Sequence, residues 1–417
     1  MNKTDTIFKK SETGNYSFLY NEVYAWLLFL IAPVLIFGVA IKNFKHKHFR
    51  KFIVLFGGLY GLFFVPIPNS DATRFQSYYT NLQDYNFNIY WHDITNLASA
   101  KNLFPDVYVY TLFYTGHLFS DNPQFFHLIT ALVYFFVFIK LIGYLYDYNS
   151  NIFNKNQRVF FLGIVFLFGF SGGINGVRWP LGSIVYLLGA IMLLTQNNVK
   201  YLFLAGLSVL IHFSLYPAVI ALAAFYLIPF LRRPSVLLVF VVFALIAGTF
   251  FSSLIFANAE AFGDIAENKL TDYTGEGYVE KRANNVAGWN FYVAIYRFGN
   301  YYFAVAALAI MAFKQKNLVT NKITNHLFSF AVFMTGISFI ANAIVDLSTN
   351  RYLVFVSFLT FTYLIYMSTL NEKAKIVRVL MYCYAPLLVL NILLGIRAEW
   401  ETVSIKLLNN PILAFFL

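Results

Sequence analysis

Apolar stretches of about 16–22 residues recur from one end of the chain to the other, separated by short polar turns. An α-helix of that length crosses a hydrocarbon core ~30 Å thick. Backbone groups in lipid must be paired within their own segment, so such stretches are helices, and the alternating strands of a membrane β-barrel are not seen. Spans are expected near 24–41, 52–66, 125–146, 158–171, 177–194, 235–256, 291–313, 326–346, 351–369 and 376–395. The run 201–231 is too long for one crossing at ~1.5 Å per residue. The sequence "HFSLYP" divides it, with His212 and Pro217 near the turn. The pattern predicts an all-α fold, a polytopic integral membrane helical bundle of about 11–13 transmembrane helices, as a single membrane domain over residues 1–417.

Two polar stretches interrupt the spans. Residues 67–122 are rich in Tyr, Asn and Asp and poor in Lys. Within them "VYVYTLFYTGHLF" is apolar but short, which predicts an interfacial or re-entrant helix. Residues 257–290 carry Glu260, Asp264, Glu267, Asp272, Glu276 and Glu280 against Lys269, Lys281 and Arg282. The final "LNNPILAFFL" is too short to cross alone and is expected to dip back into the bilayer.

Charge gives the spans a direction. Of 417 residues, 59% are hydrophobic and only 12% charged, yet the net charge is +11. The mean hydropathy is +0.63. The basic residues gather in alternate turns: Lys42 to Lys51, Lys155 with Arg158, Lys200, Arg232 with Arg233, Lys314 to Lys322, and Lys373 to Arg378. That placement marks cytoplasmic loops, not a phosphate-binding stripe, so nucleic acid is not a partner. Both termini and both long polar stretches then fall outside the cytoplasm. The N-terminal "MNKTDTIFKKSETGNYSFLYNE" lacks the early apolar core of a cleaved signal peptide. The single cysteine, Cys383, excludes an intrachain disulfide and a cysteine-built metal site. Aromatics, 20% of the chain, chiefly serve the interface belts and packing. No GxGxxG, P-loop or HExxH is present, and the first long stretch has no Asp-x-Asp, so neither a cofactor nor a metal is expected.

The topology puts a set of polar residues on the extracytoplasmic face. Arg178 opens an apolar run after "SGGING", with Pro180 where a first helical turn tolerates a missing N–H. A helix start with a guanidinium suits phosphate or pyrophosphate, although an arginine snorkelling to headgroups gives the same pattern. Arg351 opens a later span after "DLSTN", with Asp346 as a salt-bridge partner if its role is structural. His212 is a general-base candidate, and equally a helix-packing histidine. Asp71 is expected to cap a helix beginning at Ala72, with Arg74 and Tyr78 on one face of it, for sugar or phosphate binding. His92, Asp93, Arg297 and Arg397 are weaker candidates for which structure is the better reading; Arg297 and Asp346 still count among the substrate-binding candidates.

The ordered set "NSDATRFQSYY", "GINGVRWPLG", "IHFSLYP" and "TNRYLVF" resembles the EpsG family of exopolysaccharide proteins, of the Wzy-type O-antigen and exopolysaccharide polymerases. Pro180 and Gly182 depart from the small-residue helix expected of that family, and Arg74 follows Asp71 where many members place an arginine before it. The resemblance implies a GT-C-like helical architecture. It implies a metal-independent glycosyltransferase that joins undecaprenyl-diphosphate-linked oligosaccharide units, donor and acceptor both anchored in membrane lipid, outside the bacterial cytoplasmic (inner) membrane. Carried over by position, Arg178 and Arg351 would stabilise the diphosphate, and His212, or less favourably Asp71, would take the proton. Arg74 would orient a diphosphate or an acidic sugar. The resemblance leaves open whether a chain-length regulator protein takes part. Three other readings compete: a GT-C transferase using a polyprenyl-phosphate sugar, a lipid-linked glycan flippase or transporter, and an O-acyltransferase with His212 as base.

Overall fold

The computed structural model describes residues 22–68, 70–82, 84–97, 104, 106–149, 155–257, 291–344, 351–371 and 374–402. Among them every element is helical: α1 (Glu22–Ile31), α2 (Pro33–Lys42), α3 (Lys47–Leu62), α4 (Asp71–Asn81), α5 (Phe87–Thr95), α6 (Val107–His117), α7 (Pro123–Asn149), α8 (Lys155–Leu167), α9 (Phe170–Asn175), α10 (Trp179–Gln196), α11 (Lys200–Ile211), α12 (Tyr216–Leu227), α13 (Pro234–Ala257), α14 (Phe291–Lys314), α15 (Lys322–Ile344), α16 (Leu353–Leu370) and α17 (Lys375–Thr402). Among the described residues, six segments are long and apolar enough to cross a membrane: α7, the stretch Lys155–Asn175, α10, α15, α16 and α17. Shorter apolar helices include α2, α11, Phe213–Leu227, Pro234–Ile246 and Phe298–Lys314. The second long polar stretch, apart from its first residue, and the C-terminal tail lie outside the described residues.

Most elements follow the hydropathy pattern, and two differ, one for a local and one for a tertiary reason. The first span is not one helix. Proline at 33 has no N–H and disfavours helical backbone at the residue before it, so Ala32 takes φ −145° and ψ 70° and the run divides into α1 and α2. The last span runs on past 395 to Thr402. Its extra turns dock on the rest of the bundle, where the Val65 N–H donates to the Thr402 carbonyl at 2.9 Å.

The bundle is built from close helix pairs: α3 on α7, α10 on α11, α13 on α15, and α16 among α8, α14 and α15. Small residues permit the closest approaches. A Cβ at Gly61 would lie 2.4 Å from the His127 carbonyl oxygen of α7, and one at Gly189 would lie 2.5 Å from the Ala205 nitrogen of α11. α16 is buried along most of its length. Its Ser357 and Thr360 hydroxyls donate to Leu353 O and Val356 O at 2.9 and 2.7 Å, so these polar atoms are satisfied within the helix.

Helices α4, α5 and α6, with Phe126 of α7 and Val177, form a second, smaller core around Phe75, Tyr79, Phe104 and Phe113. The apolar piece of the first long stretch is the short helix α6, as its length predicts. Tyr79 stacks on His117 at 4.1 Å. Desolvation, with Asp121 nearby, pushes the Tyr79 phenol up to about 12, and its O–H donates to the Ser120 carbonyl at 2.5 Å. This small core caps the bundle at the start of α10, the end opposite the turn that carries Lys200.

Candidate active site at the capped end of the bundle

Three helix ends meet under the cap: the start of α10, the end of α11 and the start of α16. Asp106 joins two of them. It precedes α6, where an aspartate normally accepts from the helix's own first N–H groups. Its side chain makes no such bond. One oxygen takes the Arg178 guanidinium, and the other accepts from the Phe213 N–H at 2.7 Å. The Asp106 side chain is fully buried and that of Arg178 is 11% exposed. A buried carboxylate persists here because each oxygen has a donor and one of them carries charge. Phe75 and Phe104 flank the guanidinium, with ring centroids 5.1 and 5.0 Å away.

The chain reaches Arg178 through a tight turn. Val177 has φ 47°, a left-handed conformation that is costly for a β-branched residue. The Arg178 N–H donates to Gly176 O at 2.5 Å. Val177 is fully buried in the smaller core, which holds the turn in place. Upstream, α9 is fastened by Glu399 of α17: its carboxylate accepts from the Ser171 N–H at 2.8 Å and from the Tyr60 hydroxyl at 2.6 Å.

His212 ends α11 in an extended conformation. Its Nδ1 lies 2.8 Å from Ser214 Oγ, and its Nε2 lies 3.1 Å from Arg351 Nη1. The Ser214 N–H also donates to Nδ1 at 3.2 Å, so the backbone and the hydroxyl of Ser214 both hold the ring. Arg351 is exposed and lies over the Trp179 ring at 5.6 Å. Desolvation, with Tyr216 beside it, raises the Tyr352 phenol above its usual range, and that hydroxyl donates to Ser214 O at 3.4 Å. Gly182 permits the His212 turn to sit on α10: a Cβ there would lie 2.6 Å from Leu215 Cδ1 and 3.5 Å from His212 Cβ. The glycine that departs from the expected small-residue helix therefore has a packing reason.

The structure thus brings together Arg178, His212 and Arg351, and sets Arg74 and Tyr78 of α4 against the aromatic rings that flank Arg178. Arg74 shares the Phe75 ring with Arg178, and Tyr78 meets Phe104 at 5.4 Å. Asp71 is the first residue of α4 and not its cap. Ser70 is the cap, and Asp71 pairs with Arg74 at 2.9 Å on the surface. Arg178 does not stand open to ligand, because Asp106 balances its charge. Arg297 lies on α14, and Asp346 lies outside the described residues. Asp93 accepts from the Tyr85 hydroxyl at 2.7 Å and Arg397 pairs with Glu401, both structural roles. Asp106 and Glu399 escape a reading of the sequence. "PDVYVY" looks like an ordinary helix cap, and Glu399 follows the expected end of its span.

A profile of the EpsG family matches residues 75–400. The chain belongs to the EpsG family. The EpsG match takes in Asp106, Arg178, His212 and Arg351, and begins just after Asp71 and Arg74. EpsG membership and the apolar helices make this a membrane protein of exopolysaccharide biosynthesis. No curated protein and no solved structure matches the chain.

Proposed function

We propose that this EpsG-family protein is a Wzy-type polysaccharide polymerase. It joins undecaprenyl-diphosphate-linked oligosaccharide repeat units by glycosyl transfer on the extracytoplasmic face of the bacterial cytoplasmic membrane. The observation that supports this best is the contact of His212 Nε2 with Arg351 Nη1, which sets a base beside an exposed cation at a helix start.

In the reaction, the bond between the sugar anomeric carbon and the diphosphate oxygen of the donor breaks. A hydroxyl oxygen of the acceptor unit forms the new bond to that carbon, and its proton must leave. Negative charge builds on the departing diphosphate, and a positioned guanidinium stabilises it. Arg351 takes that role here, because it is exposed while Arg178 is held by Asp106. As Arg351 turns to the diphosphate, it uncovers His212 Nε2, which accepts the hydroxyl proton. The contacts of Nδ1 with the Ser214 N–H and Oγ orient the ring for that transfer. Arg178 and Asp106 act by position, fixing the start of α10 against the His212 turn. The cation role falls on Arg351 in this scheme, so no metal is required.

The test is transfer from purified lipid-diphosphate oligosaccharide in proteoliposomes, read as a product ladder, with and without chelator. The reading expects a chelator-resistant ladder that Arg351→Ala abolishes. A single added sugar that chelator removes would indicate a polyprenyl-phosphate-sugar transferase. Full activity of Arg351→Ala would end the assignment of Arg351.

A further inference from the structure

Helix α4 presents three faces. Ala72, Phe75 and Tyr79 are buried, and Asp71, Arg74 and Tyr78 lie on the face toward Phe104 and the Arg178 site. The third face carries Thr73, Gln76, Ser77 and Thr80. With Asn81, Pro66 and Pro68 these line an open groove of about 560 Å³, a size typical of small-molecule sites, about 300–1,000 Å³.

The chemistry of the lining is specific. None of its side chains is ionisable. The three hydroxyl protons are already donated to the backbone: Thr73 Oγ1 to Ile67 O at 2.7 Å, Ser77 Oγ to Thr73 O at 3.1 Å, and Thr80 Oγ1 to Gln76 O at 3.0 Å. The hydroxyl oxygens therefore keep lone pairs and can only accept. Gln76 Oε1 faces Nε2 of the fully buried His127 at 3.3 Å, which leaves its amide N–H groups to donate. An ionic ligand would lose water here without meeting an opposite charge, and a hydrocarbon chain would strand the acceptors. A polyol satisfies them, each of its O–H groups meeting a waiting lone pair, while its C–H faces lie against the two proline rings.

We propose that this groove holds an uncharged stretch of glycan, on the face of α4 turned away from the diphosphate site. As a subsite for polymer the proposal rests on the polymerase reading; as a carbohydrate site it stands by itself, and the experiment separates the two. The full chain, in detergent or nanodiscs, is titrated with a panel of neutral gluco-, galacto- and N-acetylhexosamine oligomers and followed by saturation-transfer NMR. At least one oligomer is expected to bind, undisturbed by inorganic diphosphate. Ser77→Leu with Thr80→Leu should weaken it roughly tenfold or more. Ser77→Ala with Thr80→Ala, which cannot crowd the groove, should weaken it in the same direction. Thermal melting of each variant shows whether it is folded, and the alanine pair serves if the leucine pair is not. No binding of any oligomer by the wild-type chain, or equal binding by the wild-type chain and the alanine pair, overturns the proposal. Oligomer binding that depends on Ser77 and Thr80, in a protein that forms no ladder, upholds the groove and rejects the polymerase reading.

Discussion

Replacing Asp106 with alanine removes the only carboxylate shown to face Arg178 among the described residues, while the guanidinium stays at 11% exposure. Removing one partner of a buried ion pair costs about 3–5 kcal/mol, because the other charge is left without compensation. The Phe213 N–H also loses its acceptor, for roughly 1–3 kcal/mol if no water takes its place. The two losses share one side chain and do not simply add. The melting temperature in detergent should therefore fall by several degrees. The informative comparison is a double-mutant cycle with Arg178→Met. Removing both charges together should recover part of the loss, with a coupling of roughly 1–3 kcal/mol. Asp106→Asn, which keeps an acceptor for Phe213, should fall between wild type and Asp106→Ala. The assay is thermal unfolding in detergent followed by intrinsic tryptophan fluorescence, from the five Trp of the chain. If the single and double losses are additive, Arg178 and Asp106 do not act as a pair, and the account of how α10 is fixed to the His212 turn fails.

Other outcomes follow from the same geometry. Arg351→Ala should lower transfer about 10²–10³-fold, as loss of an oxyanion ligand does; Arg351→Lys should restore only part, since an ammonium lacks the planar fork. Gly189→Leu should destabilise by more than about 1–3 kcal/mol, because its Cβ would lie 2.5 Å from the Ala205 nitrogen; melting measures it, and an unchanged melt would show that α10 and α11 are not so close. In a Cys383→Ser background, Ser77→Cys should react with an impermeant maleimide added outside intact cells, and Lys45→Cys only after lysis. The reverse pattern would invert the orientation read from the basic turns.

Hydropathy alone determined most of the bundle. A crossing in lipid is a local requirement on a run of side chains and on the backbone bonds within that run. Spans such as α7, α10 and α16, the break at "HFSLYP" and the short helix α6 were therefore legible. So was the gathering of Arg178, His212 and Arg351 at one end, because alternate helix directions follow from the basic turns. The division of the first span at Pro33 had a local cause too, but hydropathy averages over it. Only the tertiary structure decided which charges are engaged. Asp106 lies 72 residues from Arg178 and Glu399 lies 228 from Ser171, and nothing local distinguishes either carboxylate from a surface one. Their meeting depends on how α6 and α17 pack against α9 and α10. That packing turns Arg178 from an open ligand into a buried anchor, and leaves Arg351 exposed beside His212.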